Sequence, residues 1–358
     1  MSTKSLKHDP LNHDSLSSSS LNPSPAKLVI RPHVDNFIQW SKDKPEVVVL
    51  TADLTNSCEV GKWRDTYPER FFAMGMAEQN MMGFAAGLAR EGFVPFIHTF
   101  AVFIYRRPYD QLAMSIAYPN LNVKFMAFLP GIVTPGGVTH QAIEDVAIMR
   151  ATPNMTILDT ADATEVESVL DVAHHIDGPV YVRMLRGEMP RLFTDPMVFN
   201  TARVLQEGKD VLVLSSGVMT EEAMRATAAL KQKGVSIKHL HISTLKPFTD
   251  PLVLDALQST LCGIITMENH SIIGGLGSAV SELMTEHNVG KPLVRLGLKD
   301  TYAHGASYQY LIQEYELNAI ALVKSVEKLL NIETNLTPES LVAARIENNT
   351  ADAKAEAL

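Results

Sequence analysis

A single carboxylate, Glu78, precedes the uncharged segment Met81-Met82-Gly83-Phe84-Ala85-Ala86-Gly87-Leu88-Ala89. A helix that is apolar on nearly every side belongs in a protein interior. An ionised carboxylate carried in with it costs on the order of several kcal/mol unless a basic or hydrogen-bonding group meets it. Glu78 is therefore either a carboxyl group held inside for a chemical task, or an acid in a first helical turn, favoured by the helix dipole and still wetted by solvent. The residues alone leave both readings open.

The rest of the chain must house such a helix. Its 358 residues suffice for two domains, at roughly 150 residues each. Apolar residues make up 46% and charged residues 20%, so each half can bury a core. A formal net charge of −9 without any Lys/Arg run argues against nucleic acid or an anionic membrane as the main partner, although single arginines can still read small anions. Cys58 and Cys262 lie far apart, in no zinc spacing and no disulfide framework. No apolar run reaches the roughly 18 residues of a membrane span. The first 30 residues contain Asp9 and Asp14 but no Arg and no apolar signal core, unlike a targeting peptide. A reducing, cytoplasmic setting fits these features.

Residues 1–26 are polar, with Ser17 to Ser20 followed by Pro23 and Pro25, and are expected to form a disordered Ser-rich arm. From 27 to 197, the runs at Glu46 to Leu50, Phe93 to Ile97, Asn122 to Leu129, Met155 to Leu158 and Val180 to Met184 read as strands. They alternate with helical patterns, which predicts an α/β domain on a parallel sheet. The same alternation restarts at Asp210 and predicts a second α/β domain over 205–332, followed by a polar tail over 333–358.

Ligands of open parallel sheets gather at the carboxyl ends of the strands, so Asp53 and Ser57, just past one such end, are site candidates; capping a turn is the equally good alternative for each. Phe100 and Phe103 have the spacing of one helix face, which serves core packing or a flat aromatic ligand. The Gly/Pro-rich loop from Pro130 ends at His140 and Gln141, and long loops of this kind on α/β scaffolds carry function. Gly274-Gly275-Leu276-Gly277-Ser278 lacks the third dinucleotide-type glycine, and reads as a tight turn rather than a phosphate cradle.

Taken in order, Gly75-Met76-Ala77-Glu78-Gln79, Phe100 with Phe103, Gly137-Val138-Thr139-His140-Gln141, Arg150-Ala151-Thr152-Pro153-Asn154-Met155, and Glu268-Asn269-His270 with Gly274 to Gly277 resemble the C-terminal half of transketolase. They are similar also to that half of its relative, 1-deoxyxylulose 5-phosphate synthase. The likeness runs from about Val29 to Leu330 and implies a pyrimidine-binding domain followed by a transketolase C-terminal domain. It implies thiamine diphosphate as cofactor. In the family, a preceding domain holds the diphosphate and Mg²⁺ through a Gly-Asp-Gly motif, a tripeptide absent here. The resemblance thus implies a split enzyme in which this chain joins an N-terminal-half subunit, with two or more copies of each, and acts on sugar phosphates or related anionic sugars.

Residue roles carried over by the resemblance are chemically apt. Glu78 would hydrogen-bond the far nitrogen of the aminopyrimidine and promote the imino form that removes the C2 proton. Phe100 and Phe103 would wall the ring, with Asp53 beside the cofactor. His140 would face the substrate, a task suited to an imidazole near neutral pH. Arg31, Ser57 and Arg186 match the grip on the sugar's terminal phosphate, Arg31 only after a one-residue shift; Arg106 or Arg107 matches the phosphate-binding arginine of the synthase relatives. Two positions depart from the pattern: Gly136 stands where transketolases usually carry a hydroxyl-reading Asp, and Phe128 where they often carry a His. The sugar donor is left open. Rival readings are the β subunit of a 2-oxo acid dehydrogenase E1 component and a catalytically silent regulatory subunit. The Thr139-His140-Gln141 and Arg150 to Met155 stretches fit transketolase better than the first, and the presence of both Glu78 and His140 speaks against the second.

Overall fold

The computed structural model describes residues 26–342, so nearly all of the expected arm and most of the expected tail lie outside the described residues. Ala26, assigned to the arm from sequence, is buried beside Leu192 and Phe193. The tail also starts differently, because Pro338–Val342 is a short helix and Leu341 is buried, an apolar residue in a stretch read as polar.

The first domain is built on a seven-stranded sheet in the order Thr244–Lys246, Thr156–Asp159, Val180–Met184, Lys124–Phe128, Val94–Phe100, Val47–Thr51 and Phe71–Ala73. All neighbours are parallel except the first pair. The central strands are buried along their whole length, as expected for a sheet covered by helices on both faces. The second domain has a five-stranded sheet in the order Leu293–Leu298, Gly263–Ser271, Val211–Ser215, Ile237–His241 and Arg203–Gln206, the last strand antiparallel. Two mixed α/β domains on parallel-based sheets are thus present, as the alternation of runs predicts.

Local chemistry sets several boundaries. Pro32 opens helix Pro32–Trp40 at the position where a missing N–H costs nothing. Asp162 caps helix Ala163–His175 by accepting from Glu165 N at 2.8 Å. The strand expected to end at Ile97 continues to Phe100, because its pairing with Lys124–Phe128 runs on to Phe128. The short strands Phe71–Ala73 and Arg203–Gln206 carry too little pattern to be read beforehand. Thr244–Lys246 lies within the second domain by sequence, yet adds an edge strand to the first domain's sheet and stitches the two together. No helix among the described residues is long and apolar enough to cross a membrane.

Candidate active site

Strand Val94–Phe100 delivers Phe100 at its carboxyl end, and helix Ala101–Tyr105 folds Phe103 back beside it. The two rings stack with centroids 6.0 Å apart and planes 23° from parallel. This differs from the shared helix face read from their spacing, since Phe100 is a strand residue and the turn after it makes the stack. His140 stands edge-on to both, 5.5 Å from Phe103 and 6.2 Å from Phe100. The Arg107 guanidinium lies 4.2 Å over the Phe103 ring, and that of Arg186 is 5.6 Å from the Phe100 ring. An aromatic floor therefore carries an imidazole on its edge and a cation at each ring.

Glu78 is the first residue of helix Glu78–Arg90 and is buried to 5% exposure. Its carboxylate accepts from Arg107 Nη1 at 2.6 Å, so the charge that the sequence brought inside is met by a half-exposed guanidinium. Only one side of the helix is buried, through Met81, Met82, Ala85 and Ala86. The expectation of a helix buried all round is corrected: Gly83, Phe84 and Gly87 face outward, with Phe84 40% and the preceding Met76 79% exposed. An apolar face left open in a single chain has the character of an interface.

The loop before His140 is held from two sides. Asn269 of the second domain accepts from Ile132 N at 2.9 Å and donates to Pro130 O at 2.9 Å, and Gln141 Nε2 donates to His304 O at 3.2 Å. Arg106 grips the far side through Glu144 at 2.8 and 3.0 Å and the carbonyls of Val138 and Gln141 at 2.9 and 3.0 Å. In this arrangement Arg106 clamps the loop, and Arg107 is the arginine that lies over the Phe103 ring. His140 Nδ1 is fixed by Thr139 Oγ1 at 2.9 Å. A Cβ on Gly136 would come within 3.0 Å of the His140 Cβ and Cγ, so the position that departs from the family pattern is the one on which His140 leans. Phe128, the other departure, is fully buried against His33 and His98, whose Nε2 atoms are 3.1 Å apart; burial lowers His98 to about 3 and His33 well below the usual imidazole range.

A third group assembles at the carboxyl ends of strands Val47–Thr51 and Val180–Met184. Arg186 Nη1 donates to Ser57 O at 2.9 Å. Arg31, in a left-handed backbone conformation (φ 48°), donates its N–H to Gly187 O at 2.7 Å. Arg31, Ser57 and Arg186, far apart in sequence, do come together. Between them lies Glu59, which sequence reasoning passed over; it accepts from Gly187 N at 2.7 Å and approaches Arg31 Nε at 4.0 Å. Loss of solvent pushes its carboxyl upward, against the pull of the Gly187 N–H, Arg31 and Arg186. A lone acid between the apolar Cys58 and Val60, next to the singled-out Ser57, was the available signal. Asp53, past the same strand, is exposed in a left-handed conformation (φ 59°).

The glycine motif is closed to phosphate. Glu268 accepts from Leu276 N at 2.7 Å and Gly277 N at 2.9 Å, occupying the helix N-terminus with the chain's own carboxyl, which burial pushes up to about 7. A Cβ on Gly275 would collide with that carboxyl, which explains the glycine. Arg150, from the motif shared with transketolase, donates to Gly274 O at 2.9 Å and pairs with Glu282 at 2.5 Å, bracketing the two domains. Among the described residues, no three His, Cys, Asp or Glu side chains are grouped so that they could hold a metal ion.

Comparison with known proteins bears on this arrangement. The family described as the transketolase pyrimidine binding domain matches residues 35–191, and that described as the transketolase C-terminal domain matches 200–321. The chain is 37% identical over 300 residues to a 6-deoxy-6-sulfo-D-fructose transketolase subunit of Clostridium sp. (strain MSTE9), covering 83% of this chain and 92% of the relative. It is 32% identical to the 1-deoxy-D-xylulose-5-phosphate synthase of Chlorobium phaeovibrioides over 81% of this chain but only 46% of that enzyme. A solved structure, described as a split gene transketolase in an inactive β4 tetramer, superposes with a TM-score of 0.77 at 38% identity, covering 84% of this chain and 97% of the other. With both domains matched, and the clostridial subunit and the split gene transketolase spanned nearly end to end, this chain belongs to the transketolase family.

Proposed function

We propose that the chain is the second subunit of a split, thiamine-diphosphate-dependent transketolase, moving a two-carbon ketol unit from an anionic ketose to an aldose in the cytoplasm. The observation that carries this reading is the buried Glu78 carboxyl at Arg107, whose guanidinium lies over the stacked Phe100 and Phe103 rings, with His140 on the edge of the stack. These residues fit the flat aminopyrimidine of the cofactor, which supplies a carbanion-stabilising ring to the reaction. Glu78 would hold a proton at the ring nitrogen, Phe100 and Phe103 would hold the ring plane, and Asp53 would lie beside it. His140 would orient the substrate's hydroxyls and move a proton there. Arg186, with Ser57 and Arg31, would take the terminal anion, a phosphate or, as the name of the clostridial relative suggests, a sulfonate.

The diphosphate and its Mg²⁺ are assigned to a partner chain carrying the Gly-Asp-Gly motif. Calorimetric titration of the isolated chain with thiamine diphosphate and Mg²⁺ is then expected to show weak or no binding. Tight binding and ketol transfer should appear together once the partner is added; tight binding by this chain alone overturns the split reading. In the isolated chain Arg107 occupies Glu78, and a proton held on that carboxyl requires the ion pair to loosen.

The open face of helix Glu78–Arg90, with Phe84 at 40%, Met76 at 79% and nearby Met114 at 57% exposure, supports an assembly holding at least two copies of this chain. Light scattering on the reconstituted enzyme should give at least that stoichiometry, and a fully active 1:1 heterodimer contradicts it. A decarboxylating 2-oxo acid donor, as for the β subunit of a 2-oxo acid dehydrogenase E1 component, is the second reading; release of CO₂ from a 2-oxo acid by the assembled enzyme would mark it.

A further inference from the structure

The second domain holds none of the residues assigned to cofactor or substrate, yet its strand Gly263–Ser271 ends against the loop that carries His140. That loop needs outside support. Its residues Pro135, Gly136, Val138 and Thr139 are exposed. It leaves the first sheet through Leu129, whose left-handed backbone (φ 57°) is unfavourable for a branched side chain and persists only where the surroundings hold it.

Consecutive residues at the end of the second-domain strand meet the loop at both of its ends. Asn269, 1% exposed, spans the entrance: its Nδ2 donates to Pro130 O and its Oδ1 accepts from Ile132 N, both at 2.9 Å. An amide is the side chain that presents one donor and one acceptor at this spacing, so its orientation is fixed. A Cβ on Gly131, which lies between these two partners with a left-handed backbone (φ 64°), would collide with the Asn269 amide. His270 and Ser271 hold the exit. Ser271 N donates to Ile143 O at 2.8 Å, and His270 Nε2 accepts from Ala147 N at 3.4 Å in the first turn of helix Asp145–Ala151. This requires a neutral ring with its proton on Nδ1, where Ser271 O accepts it at 2.7 Å; burial lowers the imidazole to about 4.

The strand end is itself anchored on two sides. Glu268 ties it to helix Leu276–Glu286, and Arg183 of the first sheet donates to the Asn269 carbonyl at 2.9 Å. Across the base of the loop, Gly131 N donates to Ala142 O at 2.8 Å, so a pin at Pro130 and Ile132 is carried directly to the segment that holds His140. We propose that Asn269 is a positioning residue for the reaction, and that the second domain serves through it as the template that sets the His140 imidazole against the Phe100 and Phe103 rings. This rests on the reading of His140 as the imidazole that faces the substrate.

The experiment labels the histidines of the full chain with carbon-13 and follows their ring resonances with and without the partner, His140 being identified by its loss in His140→Gln. In the parent, the His140 signals are expected to be displaced by the two phenylalanine rings that it meets edge-on. Asn269→Ala should return them toward the values of an exposed histidine, while those of the buried His33 and His98 stay in place and report an intact first domain. Should Asn269→Ala fail to fold, Gly131→Ala reaches the same pin from the loop side and is expected to give the same shift. Arg150→Ala removes the contacts to Gly274 O and Glu282 across the same domain boundary, and should lower the melting temperature while leaving His140 in place. In the reconstituted enzyme, kcat of Asn269→Ala should fall on the order of a hundredfold, with half-saturation by thiamine diphosphate changed by less than about threefold. His140 signals that stay put in folded Asn269→Ala or Gly131→Ala protein overturn the inference, as does an equal displacement in Arg150→Ala. Displaced signals with an unchanged kcat overturn it too, because the placement would then not matter to the reaction. Displaced signals in an assembly whose parent transfers no ketol would uphold Asn269 as the residue that places His140, and overturn instead the reaction assigned to that imidazole.

Discussion

Replacing Glu78 with Gln should leave the assembled protein folded, with a melting temperature within about 2 °C of the parent, while exchange of the cofactor's C2 proton slows by about a thousandfold or more. The amide preserves size and a hydrogen-bonding end but cannot hold the proton that the ring nitrogen requires. Stability moves little because two contributions oppose each other. The ion pair with Arg107, whose side chain is 52% exposed, is screened by solvent and is worth at most about 1 kcal/mol, and losing it is offset by no longer burying a carboxylate. Hydrogen-deuterium exchange at C2 beside a thermal melt reads both quantities. Parental exchange rates in the Gln variant would reduce Glu78 to a first-turn helix residue.

The second large effect is on stability and concerns Arg183, which is 1% exposed at the end of strand Val180–Met184. Its Nε donates to Asp145 at 2.9 Å, Nη1 to Asp159 at 3.1 Å and Nη2 to the Asn269 carbonyl of the second domain at 2.9 Å. Tyr181 adds a hydrogen bond to Asp145 at 2.9 Å. Removing the guanidinium leaves two buried carboxylates facing each other, which costs on the order of 3–5 kcal/mol. Arg183→Ala should therefore melt roughly 10 °C below the parent at neutral pH. Burial already pushes the Asp159 carboxyl upward against the pull of Arg183, and without the arginine it would titrate higher still. Its stabilising contribution is then full only below the ordinary carboxylate range and is lost as the pH rises through its raised pKa. The gap between variant and parent should thus narrow as the pH is lowered toward that range. Combining Arg183→Met with Asp145→Asn and Asp159→Asn should recover much of the loss, because no net charge is left inside. A melt of Arg183→Ala within about 2 °C of the parent would show that the network is not holding the domains.

Much of the candidate site was visible as residue types at a spacing. Glu78, Phe100, Phe103 and His140 stand out because each breaks or decorates a local pattern: an acid before an apolar helix, paired rings, an imidazole ending a glycine-rich loop. The pattern left their roles open, and only the resemblance to transketolase named them as site residues. Glu59 does not stand out in this way, because its meaning depends on Arg31 and Arg186, and only the turn of the chain at Gly187 brings these together. Arg106 and Arg107 are adjacent in sequence and equivalent by composition. The helix–turn geometry sends one into the carbonyls of the His140 loop and the other over Phe103 toward Glu78.

The fold divides in the same way. Buried parallel strands and amphipathic helices carry their periodicity within a window of a few residues, so the sequence by itself determined two α/β domains and the approximate place of most strands. A strand of three residues has no period to display, and whether an edge strand joins its own domain or the neighbouring one depends on which free edge lies within reach. The tertiary structure alone therefore decided that Thr244–Lys246 crosses to the first sheet, and that Asn269 and His304 of the second domain pin the loop of His140. The apolar character of helix Glu78–Arg90 was plain in the sequence, but which of its faces stays open was not. The hydrophobic pattern states how much surface seeks burial, and only the packed chain shows how much of that surface it has covered itself.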